Sequence, residues 1–272
     1  MCRLYTFRST HPRKVECELI RAQNSLLAQS RCDGVGEIHP DGWGLGRYDA
    51  DGRLAVARQP ESAFAASGFR AAAAEAFSTN VIAHVRKATV GQIAPENTHP
   101  FHHHHWLFAH NGTLAGFPAF RAVLLEEMPV AQRAAIRGTT DSEHLFHYLL
   151  GLREREPNRS LIDLLRHGIR RIAMLAEERA PGAHVAFNCF LSDGSETVGV
   201  RWGKPLWVVE RPRVHPCEVC GGVLHVGEIG SDDYRAVVVA SERITLGEDW
   251  REIPNQSLFR IGPSVDWRCE PL

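Results

Sequence analysis

Cys2 directly follows the initiator methionine, and its side chain is small enough for an aminopeptidase to remove Met1. Removal would leave a thiol and a free α-amino group on one residue. The thiolate is the nucleophilic form, and an α-amine titrates at about pH 8, so the amine can act as the base for its own side chain. A single cysteine is more often structural, and the rest of the chain must decide between the two interpretations.

The segment from Trp106 to Leu114 contains a pair of residues that could polarise a carbonyl. The side-chain amide of Asn111 and the backbone N–H of Gly112 are two donors that can point at one oxyanion. Asn-Gly is also the commonest hairpin turn, with the strand ending before Thr113. Taken alone, the pair favours the turn.

Two further segments carry charges that suit the ends of a free amino acid. The apolar run Val81–Val85 leads straight into Arg86, whose guanidinium requires a carboxylate partner if it is buried. That carboxylate could belong to the protein or to a substrate, and Thr89 could add a hydroxyl to it. Asp141 opens a helix, where it could be a plain N-cap or could hold a substrate ammonium.

These groups form one reacting set. A thiol with an amine base and an oxyanion hole suits acyl transfer from an amide, and the carboxylate and ammonium binders suit a free α-amino acid. The substrate implied is an amino acid with a side-chain amide, and glutamine or a γ-glutamyl compound fits best.

The elements that must position these residues run in the order strands, helices, strands. Short apolar or alternating runs predict ten strands, namely Leu4–Phe7, Gly44–Tyr48, Leu54–Arg58, Asn80–Arg86, Trp106–Ala109, His184–Ser192, Thr197–Trp202, Leu206–Glu210, Ala236–Ala240 and Leu258–Ile261. Helical periodicity predicts five helices, namely Glu16–Ser30, Ser62–Phe77, Pro118–Glu127, Ser142–Glu154 and Ser160–Glu178. This order, with hairpins at Asp51-Gly52 and Asp193-Gly194, indicates an α+β layered domain with antiparallel pairing.

The bulk composition excludes several classes of protein. The chain has 272 residues and a net charge of −1, which gives no electrostatic case for nucleic acid or an anionic membrane. No apolar run approaches the length of a membrane span, and the first residues lack a signal-peptide core. Seven cysteines without a disulfide framework suit a reducing compartment, so we predict a cytoplasmic protein. A single domain over 1–272 is expected, with 211–233 as an irregular insertion.

Six motifs in a fixed order make the interpretation specific. They are Met1-Cys2, His39-Pro-Asp-Gly-Trp-Gly, His84-Val-Arg-Lys-Ala-Thr, Glu96-Asn-Thr-His-Pro-Phe101, Ala109-His-Asn-Gly112 and Thr140-Asp-Ser-Glu143. In this order they resemble the class II (N-terminal nucleophile) glutamine amidotransferases, in the stand-alone YafJ-like branch. The ergothioneine-pathway γ-glutamyl amidohydrolase is similar. The resemblance implies a four-layer αββα sandwich of two antiparallel sheets, the N-terminal nucleophile hydrolase fold.

The resemblance also implies a role for each site residue. Cys2 would attack the γ-carbonyl and form a γ-glutamyl thioester, while the Asn111 side chain and the Gly112 N–H stabilise the oxyanion. The α-carboxylate of the substrate would lie on Arg86 and Thr89, and its α-amino group on Asp141. The histidines within the motifs are interpreted as structural supports: His84, His99 and His110.

Metal binding is the main competing interpretation. The run His102–His105 favours a surface loop, because adjacent histidines point in different directions. A second set, His215, Cys217, Cys220 and His225, offers four zinc ligands but lacks clear paired spacing, so a plain turn is favoured. We interpret the other cysteines as packing or incidental residues: Cys17, Cys32, Cys189 and Cys269. No metal and no cofactor are predicted.

The predicted function is that of a cysteine amidohydrolase acting on glutamine or a γ-glutamyl amide. The family domain accounts for nearly all of the chain, so no synthase domain is expected to receive ammonia within it. Ammonia would pass to a separate subunit, or the protein hydrolyses a γ-glutamyl amide, which we favour. The non-enzymatic alternative is a glutamine-binding regulatory subunit, and the presence of Cys2, Asn111 and Asp141 argues against it.

Overall fold

The computed structural model describes residues 2–214, 217–222 and 233–272. Its strands are β1 (Arg3–Lys14), β2 (Trp43–Tyr48), β3 (Leu54–Gln59), β4 (Phe77–Val85), β5 (Phe101–His103), β6 (Trp106–Leu114), β7 (Val185–Ser192), β8 (Thr197–Arg201), β9 (Trp207–Arg211), β10 (Ala236–Ala240), β11 (Arg251–Glu252), β12 (Ser257–Ile261) and β13 (Trp267–Pro271). Its α-helices are α1 (Leu26–Arg31), α2 (Ser67–Glu75), α3 (Phe117–Glu126), α4 (Val130–Ala135), α5 (Asp141–Arg155) and α6 (Leu161–Arg179). A π-helix (Cys17–Arg21) precedes α1, and a 3-10 turn (Pro95–Asn97) precedes β5.

The strands form two antiparallel sheets. Sheet one has the order β11-β9-β10-β1-β4-β2-β3, and sheet two has the order β13-β12-β8-β7-β6-β5. The two predicted hairpins are confirmed, since Gly52 between β2 and β3 and Gly194 between β7 and β8 both adopt the positive φ that such turns require. Strand β1 lies between β10 and β4, which brings the start of the chain into the middle of sheet one.

Three apolar cores separate four layers. Mostly strand residues, such as Leu4, Ala109 and Phe190, fill the core between the two sheets, and none of the described helices contributes to it. The outer face of sheet one packs against the π-helix, α1 and α2, and the outer face of sheet two packs against α3, α5 and α6. This arrangement is the αββα sandwich that the sequence predicted, and the predicted α+β class is confirmed.

The predicted helix Glu16–Ser30 is wrong in its middle. Residues 22–25 break it, because Ala22 has extended backbone angles and Ser25 caps the new helix α1 by accepting a hydrogen bond from the N–H of Ala28. The predicted helix Ser62–Phe77 is also too long, since α2 begins at Ser67 and Phe77 already belongs to β4.

The insertion predicted at 211–233 begins on a regular strand, since Arg211 pairs with Ala236. Within it, the structure describes the turn 217–222, while 215–216 and 223–232 lie outside the described residues. In the described part of the chain, every helix falls short of the length and apolarity needed to span a bilayer.

Candidate active site

Cys2 lies immediately before β1, at the end of sheet one where β4 finishes. Its Sγ is 3.4 Å from the backbone nitrogen of Lys87 and 3.5 Å from the carbonyl oxygen of the same residue. Burial raises the pKa of the Cys2 thiol, while the Lys87 backbone and the nearby Arg86 guanidinium act in the opposite direction. With the pKa raised overall, the thiol is protonated at neutral pH and needs a base.

The backbone of Cys2 is held by its neighbour Arg3. The Arg3 guanidinium donates to the Cys2 carbonyl at 3.0 Å, to Glu242 at 2.9 Å and to Asp33. Asp33 also accepts a hydrogen bond from Nε2 of His39 at 2.9 Å. Burial lowers the pKa of His39 to about 4, so this ring is neutral. The motif that begins at His39 therefore helps to hold the backbone of Cys2 in place through Asp33 and Arg3, a role that sequence reasoning missed.

The pairing of β1 with β4 sets Cys2 beside Arg86. Arg3 lies opposite Val85, so Cys2 and Arg86 occupy the next position along both strands. Leu4 belongs to the core between the sheets, and Cys2, two residues earlier, shares its face. Opposite residues of an antiparallel pair point the same way, so Cys2 and Arg86 both face sheet two.

Arg86 is buried and held by backbone carbonyls. Its guanidinium donates to Val90 at 2.9 Å, to Gln92 at 3.2 Å and to Gly91 at 3.4 Å. Among the residues that the structure describes, no carboxylate forms an ion pair with it. The protein therefore orients this cation with neutral oxygens and leaves its charge for another partner.

Thr89 forms no hydrogen bond with Arg86 among the described residues. It lies exposed in the bend after β4, and the guanidinium of Arg86 contacts the carbonyls that follow Thr89 rather than its hydroxyl. A contact of Thr89 with a substrate carboxylate stays a prediction.

Asn111 and Gly112 lie within a strand, so the turn favoured for this pair is wrong. Strand β6 continues to Leu114, and its partner β7 pairs with it along the whole length, with Asn111 opposite Asn188. The side chain of Ala109 lies between the sheets, and Asn111, two residues further, shares that face. Asn111 therefore points toward sheet one, the sheet that carries Cys2.

The N–H of Gly112 points to an edge of β6 that none of the described strands covers at this position. Alternate N–H groups along a strand point to the same edge. The N–H of Leu114 donates to Asp141 at 2.9 Å rather than to β7, so Gly112, two residues earlier, directs its N–H to that same edge. Strand β5 pairs only with the residues from Trp106 to Phe108 and ends before this point.

Asp141 is the first residue of α5, and the interpretation of Asp141 as the N-cap is wrong. The cap is Thr140, whose hydroxyl accepts a hydrogen bond from the N–H of Glu143. The carboxylate of Asp141 instead accepts from the N–H of Leu114 at 2.9 Å and from the N–H of Ser142 at 2.8 Å. In the described ranges, no lysine or arginine pairs with this buried carboxylate, so it offers a site for an ammonium group.

The comparisons with known proteins decide the family. A family model described as class II glutamine amidotransferases matches residues 1–269. The chain belongs to this family. The resemblance drawn from the six motifs is confirmed, and the protein is an enzyme of the kind that hydrolyses the amide of glutamine.

Two relatives and one solved structure show how far the likeness extends. YafJ of Escherichia coli is 29% identical over 240 residues, which cover 84% of this chain and 88% of YafJ. The gamma-glutamyl-hercynylcysteine sulfoxide hydrolase of Mycolicibacterium smegmatis is 26% identical over 265 residues, covering 96% of both chains. The structure of a glutamine aminotransferase class-II domain protein from Silicibacter pomeroyi superposes with a TM-score of 0.65 at 22% identity, over 99% of each chain.

In this class II amidotransferase, the motif histidines contact protein groups or each other. His110 donates from Nε2 to the carbonyl of Ala186 at 3.1 Å and accepts at Nδ1 from the hydroxyl of Ser142 at 2.8 Å. His84 and His99 stack with ring centroids 4.3 Å apart, and burial holds the pKa of each well below the ordinary histidine value. These neutral rings fill space beside the site, in line with the predicted supporting role.

A cavity of about 650 Å³ adjoins the site of this amidotransferase. Arg3 and Asn111 line it on the side of the nucleophile, and its outer wall includes Lys204, Trp207 and Arg243. The cavity therefore offers space next to Asn111, with both apolar and charged side chains in its lining.

The residues considered as a competing metal site divide into two groups. In the run His102–His105, the expected surface loop is correct only for His104 and His105, which form the exposed turn into β6. His102 and His103 belong to strand β5, and His103 is partly buried. His215 and His225 lie outside the described residues.

Proposed function

We propose that this amidotransferase is a cysteine amidohydrolase that cleaves the γ-amide of glutamine or a γ-glutamyl compound and releases glutamate. The proposal rests on one observation: a thiol, a cationic side chain and a carboxylate lie toward one end of the sandwich. There, a thiol on sheet one lies beside a cation that pairs with none of the described carboxylates. On the open edge of sheet two lies a carboxylate that pairs with none of the described lysines or arginines.

The two unpaired charges define the bound orientation of the substrate. The guanidinium of Arg86 would bind the α-carboxylate, with its fork already oriented by three carbonyl oxygens. The carboxylate of Asp141 would bind the α-ammonium, and Thr89 would reach the α-carboxylate from the loop. An amino acid held at both ends extends its side chain toward Cys2, which places the γ-carbonyl at the nucleophile.

The chemistry would begin when Met1 is removed and the α-amine of Cys2 becomes free. The amine takes the proton of the thiol, the thiolate attacks the γ-carbon, and the Asn111 amide with the Gly112 N–H stabilises the oxyanion. The proton then passes to the leaving amine as the C–N bond breaks, which leaves a γ-glutamyl thioester on Cys2. Water, deprotonated by the same amine, cleaves the thioester and releases glutamate.

Two observations favour a substrate larger than glutamine. The similarity to a gamma-glutamyl-hercynylcysteine sulfoxide hydrolase extends over 96% of both chains. The cavity of about 650 Å³ beside Asn111 has room for a substituent on the amide nitrogen. We therefore propose hydrolysis of a γ-glutamyl amide, with the released amine leaving through this cavity, in preference to delivery of ammonia to a separate subunit.

A panel of γ-glutamyl amides tests the proposal, with glutamate release as the readout. Glutamine and amides with apolar, cationic and anionic substituents are compared at equal concentration. We expect turnover of at least one substituted amide with a higher kcat/KM than glutamine, and mass spectrometry should show that Met1 is absent. Turnover of glutamine alone would favour ammonia transfer, and active protein that keeps Met1 would contradict the amine base.

Two variants test the proposed machinery directly. Cys2→Ala should abolish glutamate release and leave substrate binding measurable, while Cys32→Ala, which removes an exposed thiol, should keep wild-type activity. Asn111→Ala should reduce turnover by roughly a hundredfold or more, as expected for the loss of one oxyanion donor. Thr113→Ala in the same strand is the matched control for Asn111→Ala and should have little effect.

A further inference from the structure

Three cysteines from distant parts of the sequence meet on the outer side of sheet one. Cys17 is the buried first residue of the π-helix, and Cys217 and Cys220 belong to the turn 217–222. The three Sγ atoms all lie within 4.8 Å of one another. Within residues 2–214, 217–222 and 233–272, no other group of three or more such side chains is close enough to hold a metal ion.

We propose that Cys17, Cys217 and Cys220 bind a structural zinc ion. Three sulfurs around tetrahedral zinc, each at about 2.3 Å, lie about 3.8 Å from one another. The observed sulfurs, all within 4.8 Å of one another, are at most about 1 Å further apart than that. The sequence alone favoured a plain turn, because the spacing of Cys217 and Cys220 with His215 and His225 lacks the clear pairing of zinc sites. The fold adds Cys17, some 200 positions earlier in the chain.

The turn that carries two of the thiols is shaped to present them together. The N–H of Cys217 donates to the carbonyl of Gly222 at 3.2 Å, and the N–H of Gly221 donates to the carbonyl of Cys217 at 2.8 Å. Gly221 has a φ of +67°, which only glycine adopts freely. The N–H of Gly222 also donates to Sγ of Cys220. Backbone donors of this kind orient metal-bound thiolates and help to stabilise their charge.

Zinc suits these ligands better than other common metals or a disulfide. Thiolates are soft ligands that favour zinc over calcium or magnesium, and zinc accepts tetrahedral geometry without preference from its d electrons. A disulfide would use two of the sulfurs and leave the third unpaired within contact distance. None of the three cysteines is disulfide-bonded in the structure.

The zinc ion would fasten the turn to the π-helix and, through the turn, support the cavity wall. Glu218, between the two cysteines of the turn, accepts a hydrogen bond from the N–H of Leu246 at 3.3 Å. Leu246 lines the cavity next to the active site. The metal is therefore structural, and the site contains none of the residues assigned to catalysis.

Metal analysis of the full-length protein, purified under reducing conditions without a histidine tag, tests the proposal. We expect about one zinc per chain, with a sulfur shell at about 2.3 Å in X-ray absorption. The variants Cys17→Ser, Cys217→Ser and Cys220→Ser should each lose most of this zinc. Cys32→Ser and Cys269→Ser remove exposed thiols outside the cluster and should keep it.

A measurement on the wild type keeps the test valid if a variant fails to fold. Metal-depleted, reduced wild-type protein is titrated with zinc against a chromophoric chelator, and separately with cobalt. We expect one tight zinc site and thiolate-to-cobalt charge-transfer absorption. A metal-depleted protein that binds neither ion, full zinc content in all three cluster variants, or a disulfide between two of the three cysteines in the purified protein would each overturn the proposal.

Discussion

Arg86 and Asp141 are charged side chains whose protein partners are neutral. Burying an unpaired charge is unfavourable, and a protein tolerates it where other groups hydrogen-bond the charge or a ligand later pairs with it. Backbone carbonyls hold the guanidinium, and backbone N–H groups hold the carboxylate. Both groups are therefore oriented in the absence of substrate, and under the proposed function each end of the substrate would supply the missing opposite charge.

If Arg86 binds the α-carboxylate, replacing it should weaken the preference of the enzyme for substrates that carry this group. Arg86→Lys keeps a positive charge but loses the planar fork that matches a carboxylate, so KM for glutamine should rise about tenfold or more, with a smaller change in kcat. An analogue of glutamine without the α-carboxylate should be a much poorer substrate than glutamine for the wild type. The variant should discriminate less between the two.

The neighbouring lysine provides the control for Arg86→Lys. Lys87 pairs with Glu37 at 3.0 Å and is partly exposed, so Lys87→Ala should leave the preference for the α-carboxylate unchanged. Equal discrimination by wild type and Arg86→Lys would show that another group binds the carboxylate.

The two ionisable groups of Cys2 predict the pH dependence of hydrolysis. Burial raises the pKa of the thiol, so it stays protonated at neutral pH, and the free amine must be neutral to accept its proton. A protonated amine cannot act as a base. We therefore expect kcat/KM to fall as pH decreases below the pKa of the α-amine, ordinarily about 8.

A serine variant distinguishes the contribution of the α-amine to the pH profile from that of the thiol. Cys2→Ser keeps the amine but has no thiol to ionise, so its residual activity should show the same fall at low pH. Profiles of kcat/KM from pH 5 to pH 9 provide the measurement. A fall that disappears in Cys2→Ser would assign it to the thiol instead.

At the scale of elements, the sequence predicted the strands that carry the site but not all of their ends. The run Ala236–Ala240 and the transition from an apolar strand to Arg86 were correct, because a short continuous apolar run is typical of a strand that is buried on both faces. Asn111-Gly112 was predicted as a turn because local preference favours one. In the fold, pairing with β7 continues through both residues. Local sequence could not reveal this pairing, which depends on a strand more than 70 residues away.

A substitution at Gly112 tests whether the close approach of β6 to β7 is needed for stability and activity. A Cβ on Gly112 would lie 2.0 Å from the carbonyl oxygen of Ala186 and 2.1 Å from Nε2 of His110, so strand backbone would have to move. Gly112→Ala should lower the free energy of unfolding by about 1–3 kcal/mol. It should also reduce kcat strongly, because the N–H of residue 112 shifts with the backbone.

Urea unfolding and steady-state kinetics measure both effects of Gly112→Ala. Thr113→Ala, at the next position of β6, is the control and should change each quantity little. If Gly112→Ala kept wild-type stability, strand β6 would tolerate the backbone movement. If it also kept wild-type kcat, the N–H of residue 112 would not be an oxyanion donor.

At the scale of the whole molecule, buried ion pairs connect segments that are far apart in sequence. Glu18 in the π-helix pairs with Arg13 of β1 and Arg211 of β9, both at 2.6 Å. Arg211 also binds Glu248 at 2.5 Å. Like the cysteine cluster, this network could not be predicted from the sequence, because its partners meet only when β1 and β9 lie on either side of β10. Charge type and spacing along the chain do not contain that information.

This network predicts a stability change that depends on pH. Burial acts to raise the pKa of Glu18, but the guanidinium groups of Arg211 and Arg13 outweigh it and hold the pKa below the ordinary glutamate value. Glu18→Gln removes a buried charge that two cations require, so the free energy of unfolding at pH 7 should fall by about 3–5 kcal/mol. Glu16→Gln breaks the partly exposed pair with Arg21 and should cost less than about 1 kcal/mol.

The sign of the pH effect follows from the lowered pKa of Glu18. The folded state holds the ionised carboxylate more tightly than the unfolded chain does, so the contribution is fully present above the unfolded pKa of about 4.3 and is lost as pH falls through the lower folded pKa. The difference in unfolding free energy between wild type and Glu18→Gln should therefore stay constant from pH 7 to about pH 5 and shrink below about pH 4. Urea unfolding across this range measures the difference. A constant difference down to pH 3, or a loss at pH 7 no larger than that of Glu16→Gln, would mean that the ionised form of Glu18 does not stabilise the fold.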